Sequence, residues 1–185
     1  MIDDRSASFG PYDLRPTTYD LRPMTSDHSL AQRLERTEAR SNAAFVEARA
    51  RLMPEVGAAW RDIDGTYAMF DGVESPLTQS FGLGVFGEVT DAHLAALEQF
   101  FDAHGAAAQH EMSVMAGNAA LAPLASRGYR PIELSTVLHQ PVVEAPLAPP
   151  PPPMRVRIIG ADETDRWAAT SAAGWGETPE VAAFM

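Results

Sequence analysis

The run Gln79-Ser-Phe-Gly82-Leu-Gly84, with Gly87 shortly after, carries the residue types that could hold a pyrophosphate. Glycines between a strand and a helix let backbone amides converge on an oxyanion at the helix N-terminus, where side chains would obstruct the ligand. Against a cradle, Val85 to Val89 separate the last motif glycine from the next helix cap. A strand bulged at Gly82 or Gly84 uses the same glycines, because isolated strand glycines mark bulges or close packing. Gln79, Gly82 and Gly84 are therefore the cofactor-binding candidates, and the bulged strand is the competing reading.

Other chemistry-bearing residues form weaker patterns. His93, His104 and His110 lack the i, i+4 spacing of a helical metal pair, and Glu111 points to the opposite side of a strand from His110. Solvated or hydrogen-bonded histidines explain them better than a metal site. Ser126 and Ser135 have no flanking glycines that would expose a nucleophile. Glu98 and Asp102 share a helical face as an ordinary solvated pair. Trp60, Tyr67 and Phe70 on a predicted hairpin suit a core more than ligand stacking. No catalytic residue is assigned.

Composition excludes several function classes. The 185-residue chain contains no cysteine and no lysine, since all 14 basic residues are arginine. Thiolate catalysis, disulfides, Schiff-base chemistry and a Walker-type phosphate loop are thus excluded within it. A net charge of −11 repels phosphate backbones and argues against nucleic acid as partner. No apolar run reaches the roughly 20 residues a membrane helix needs, and the acidic start Met1-Ile-Asp-Asp-Arg5 lacks a signal-peptide core. The expectation is a cytoplasmic protein.

The elements that must position these residues follow from periodicity and punctuation. Residues 1–28 hold a tandem repeat, Tyr12-Asp-Leu-Arg-Pro16 and Tyr19-Asp-Leu-Arg-Pro23, and read as a disordered tail or a docking peptide. Ser29 to Met53 reads as a helix with Leu30, Leu34, Phe45, Leu52 and Met53 on its inward stripe, interrupted by polar Glu38 to Asn42. A hairpin follows, Ala58–Ile63 and Thr66–Phe70 around Asp64-Gly65. A third strand is expected over Leu77–Val85. Thr90 caps a helix over about 91–104, which Gly105 ends. A strand over 106–115, a short helix over 118–127 and a strand over 129–137 complete the unit. Pro123 kinks that helix or displaces its start. The fold class expected is α/β (α+β), a mixed, mostly antiparallel sheet flanked by helices.

Five consecutive prolines, residues 149–153, end this unit; residues 142–153 read as a semi-rigid linker. A strand-like segment, Met154-Arg-Val-Arg-Ile-Ile159, opens the remaining residues 154–185, too few for a domain.

Leu121-Ala-Pro-Leu124-Ala-Ser-Arg127-Gly128-Tyr129-Arg-Pro-Ile-Glu-Leu134 resembles the late helix–turn–strand of the GNAT superfamily of acyl-CoA-dependent N-acyltransferases. Gly105-Ala-Ala-Ala-Gln-His-Glu-Met112 is similar to the preceding helix-to-strand step. After the prolines, Arg155-Val-Arg-Ile158, Asp162-Glu-Thr-Asp-Arg-Trp167 and Thr178-Pro179-Glu180 resemble the family's opening strand and first two helices. The resemblance implies tandem repeats: residues 29–141 as one domain, residues 154–185 as the start of a second. Gln79, Gly82 and Gly84 match the family's acyl-CoA signature by letter, but a loop rather than a helix follows. Leu124 stands where members often carry a tyrosine as general acid, and leucine cannot donate a proton. Both departures imply a degenerate, non-catalytic first repeat.

The resemblance further implies acetyl-CoA as co-substrate and a small-molecule or peptide amine as acceptor, with homo-oligomerisation left open. The alternative is a binding or scaffolding module without acyl-CoA affinity. A hydrolase lacks a visible nucleophile–base pair.

Overall fold

The computed structural model describes residues 24–141 and 151–175. The chain divides into two compact units, residues up to Leu124 and residues from Ala125 onward. The tandem repeat of the tail, most of the proline linker and the expected helix start at Thr178 lie outside the described residues.

The first unit begins with helix α1 (Met24–Leu52), five residues earlier than the expected start at Ser29. Strands β1 (Ala59–Ile63) and β2 (Thr66–Phe70) form the expected hairpin, in register from Ala59 opposite Phe70 to Ile63 opposite Thr66. Asp64 at φ 48° and Gly65 at φ 87° make the two-residue turn, because two successive positive φ angles match the twist of the flanking strands. Strand β3 (Ser80–Phe81) pairs antiparallel with β2. The first unit is thus an α+β fold with a small antiparallel sheet of order β1-β2-β3.

Every residue of β2 is buried, as a central strand with both faces covered requires. Tyr67 and Met69 point into a cluster with Ala39, Ala43 and Val46 of α1 and with Phe81. The opposite face packs towards α2 (Asp91–Ala103): the Phe70 ring stacks on His104, just past the helix, at 4.7 Å. Helix α2 is as its sequence predicts. Thr90 accepts a hydrogen bond from the His93 amide, Leu94, Leu97, Phe100 and Phe101 are buried, and Gly105 leaves the helix at φ 67°.

Packing overrules the C-terminal end of the expected stripe of α1, whose Leu30, Leu34 and Phe45 are half-buried. Leu52 is 81% exposed and Met53 is exposed too, whereas Ala31, Ala39, Ala43 and Val46 are buried. The sheet surface beneath is already filled by Trp60, Tyr67, Met69 and Phe81, so small helix residues allow close approach. The supposedly interrupting segment Glu38–Asn42 contains Ala39, one of the most buried positions.

Four expected strands come out shorter than their sequence suggests or do not form among the described residues. The third keeps only Ser80–Phe81, since positive φ angles at Gly82 and Gly84 turn the chain away. Residues 106–115 contribute a single parallel bridge, Ser80 to His110, with the Ser80 amide donating to Gln109 and the Glu111 amide donating to Ser80. Residues 129–137 and 154–159 form no ladder among the described residues, and Ile132, Leu134, Val156 and Ile158 are exposed. The helix over 118–127 divides into a 3-10 turn, Asn118–Ala120, and α3 (Leu121–Ser126). That displaced start puts Pro123 in the first turn of α3, where a missing amide breaks no helical bond. In the second unit a 3-10 turn at Ala161–Glu163 leads into α4 (Thr164–Gly174). Among the described residues no helix is long and apolar enough to cross a membrane.

Candidate functional site

Ser80, His110, Glu35 and Glu111 come near one another where β3, α1 and residues 109–111 meet. The glycine run departs from β3 as a turn in which the Val85 amide donates to the Gly82 carbonyl at 3.3 Å. Nε2 of Gln32, on α1, donates to the Val85 carbonyl at 2.9 Å. Gly82 is buried, and a Cβ there would lie 2.9 Å from the Phe86 ring. At Gly84 a Cβ would lie 2.9 Å from Ala116 Cβ and 3.2 Å from Val89 Cγ2. The absent side chain of Gly84 thus leaves room for neighbouring protein atoms. Gln79 sits before the turn, its Nε2 donating to the Pro76 carbonyl at 3.1 Å. The three candidates remain neighbours in the chain, but Gln79 turns back to its own loop and the glycines pack against protein.

Ser80 Oγ lies 2.7 Å from His110 Nδ1. Burial, followed by the charge of His93, pushes the His110 imidazole down to about 4, so it is neutral at physiological pH. The pair has the composition of a nucleophile and its base, yet Ser80 is fully buried and its backbone holds residues 109–111. This arrangement ties two chain segments together and presents no nucleophile to solvent. His93 Nε2 donates to the Ile63 carbonyl at 3.0 Å, and His104 Nδ1 to the Phe100 carbonyl at 2.7 Å. Among the described residues no three histidine or acidic side chains converge as a metal-ligand set.

Glu35 on α1 is the group that sequence reasoning missed. Burial pushes its carboxyl up to about 7, with Glu111 and Glu38 adding repulsion and the Gly82 amide opposing them. A carboxyl poised near neutrality can exchange a proton at working pH, the property asked of a general acid or base. Glu35 and Glu111 are far apart in sequence, and only the bridge at Ser80 brings residue 111 to α1. Helical periodicity does place Glu35 four residues from buried Ala31 and Ala39, which could have marked it as an inward acid.

Leu124 is buried in α3 and contributes an apolar side chain. Comparison with protein-family models, curated proteins and solved structures finds no match to the chain.

Proposed function

We propose that residues 29–141 are a non-catalytic acyltransferase-like repeat. In this reading the protein that contains it transfers an acyl group, acetyl by preference, from coenzyme A to an amine, using a second repeat that opens at Met154. One observation carries the reading: after the antiparallel β1-β2-β3 meander, β3 leads through α2 to residues that return parallel to it at the Ser80–His110 bridge. That order of elements is the one implied by the resemblance of the glycine run and the Gly128-Tyr129 turn. In the reaction an amine nitrogen attacks the thioester carbonyl, the carbon–sulfur bond breaks, and the proton lost by the amine balances the one taken up by the thiolate. Buried Leu124 offers no proton to a thiolate, and the space beside Gly84 is filled, which supports a non-catalytic role for this repeat.

The filled space beside Gly84 also favours a second reading, a binding module without acyl-CoA affinity. Calorimetric titration of the chain with acetyl-CoA, and a thioester-release assay on the protein carrying the complete second repeat, distinguish them. The proposal expects no binding to this chain at millimolar ligand and amine-dependent CoA release by the longer protein. Tight binding here would overturn the non-catalytic assignment; absence of release across a broad amine panel would leave the binding module.

A further inference from the structure

We propose that the face of α1 from Ser29 to Arg40 is a binding site for a small phosphate monoester. Arg33, Arg36 and Arg40 stand at i, i+3 and i+7 and share one helical face. With Gln32, Thr37 and Phe86 they line a groove of about 360 Å³, and no acidic residue lines it. In a chain with 25 acidic residues against 14 arginines, three arginines line this groove, with Asp62 at its edge beside Arg36.

The groove is built around one fixed arginine. The Arg36 guanidinium lies 4.6 Å from the Tyr67 ring centre and 4.1 Å from that of Phe86. Its Nη2 donates to the Gly65 carbonyl at 3.1 Å, and Asp62 lies 3.7 Å from Nη1. Gly65 makes the seat possible, since a Cβ there would come within 2.8 Å of Phe86 Cβ. Arg36 is therefore preorganised and partly neutralised. Arg33 and Arg40 flank it, exposed, and neither forms an ion pair among the described residues.

The chemistry selects the ligand class. Guanidinium forks match the oxygens of phosphate in paired hydrogen bonds, and two of them suit a dianion better than a single carboxylate. A long polyanion would meet the acidic remainder of the surface, which disfavours nucleic acid. Phe86 adds an apolar wall for the organic part of an ester.

Phenyl phosphate is the probe, titrated calorimetrically into the full chain at low ionic strength, with benzoate as a control of the same ring and one negative charge. The proposal expects saturable binding of phenyl phosphate, at least about tenfold weaker binding of benzoate, and a loss of about tenfold or more in the Arg33→Ala/Arg40→Ala double variant. Arg51→Ala, on the exposed last turn of α1, keeps the parent affinity. Both arginines of the double variant are exposed, so an unchanged thermal melt shows that the fold survives. Equal affinity for benzoate, undiminished binding by the double variant, or no binding at millimolar phenyl phosphate would each overturn the site. The probe carries neither thioester nor coenzyme, so the outcome is independent of the acyltransferase reading.

Discussion

The two halves of the sequence contain similar strand-like runs that meet different fates. Tyr67 and Met69 in β2 are buried between α1 and their sheet neighbours, whereas Leu134 and Ile158 are 94% and 96% exposed in segments without a ladder. The alternation of apolar residues is comparable in all three runs. What differs is the availability of partners: β2 has a hairpin neighbour on one edge and β3 on the other. A helix satisfies its own amides, as α4 does in the second unit, but a strand is completed only by another chain segment.

The comparison can be broken at the core first. Met69→Ala removes a fully buried side chain and should cost about 2–5 kcal/mol of unfolding free energy, while Ile158→Ala should stay within about 0.5 kcal/mol. Denaturant titration of both variants measures this, and a large effect at Ile158 would mean that its segment is packed in solution. Next is Arg49→Met, which strands the Asp71 carboxylate, fully buried and 3.4 Å from Arg49 Nε. An uncompensated buried charge predicts a loss of about 3 kcal/mol. Changing both residues to an apolar pair should recover most of it. A single-variant loss below about 1 kcal/mol would show that Asp71 is satisfied by Ser75 and the loop.

Gly84→Ala sharpens the reading of the glycine run. The substitution meets Ala116 and Val89 and a φ of 77°, so about 2 kcal/mol of destabilisation is expected. Gly87→Ala, with nothing within 4 Å of a built Cβ, should be near neutral. Equal tolerance at both sites would reopen Gly84 as part of an accessible cradle.

The smallest expected effect is a pH dependence. Glu35, raised from 4.5 to about 7, binds its proton more tightly in the folded state, so it withdraws stability as pH rises from about 4.5 to 7. His110, lowered from 6.5 to about 4, holds its proton less tightly when folded, so stability falls as pH drops from 6.5 towards 4. Between pH 4.5 and 6.5 the two slopes oppose, so Glu35 offsets part of the rise that His110 produces. Glu35→Gln should steepen the rise of stability towards pH 6.5. Glu35 is half-exposed and solvent screening holds its part to about 1 kcal/mol. Thermal melts across this range measure it, and an unchanged slope would separate Glu35 from the influence of Glu111 and Gly82.

Legibility followed the range of the interactions. The Asp64-Gly65 turn and the limits of α2 were readable because the deciding contacts lie within a few residues: two positive φ angles, the Thr90 cap and the exit at Gly105. The inward face of α1 was not. Its large apolar residues mark one stripe, but the sheet it meets is crowded with aromatics and admits alanine instead. The meeting of Glu35 with Glu111 escaped for a similar reason, because a single bridge at Ser80 decides where residue 111 lies.

By themselves, the residues of this chain determined its local turns and caps, and they excluded thiolate and lysine chemistry through the absence of both side chains. Tertiary structure alone decided which alternating runs became strands, which glycines were packed shut and which arginine was clamped between two rings. The division is physical: torsional preference and capping act over one or two turns of chain, whereas burial and pairing depend on what distant segments bring to the same place.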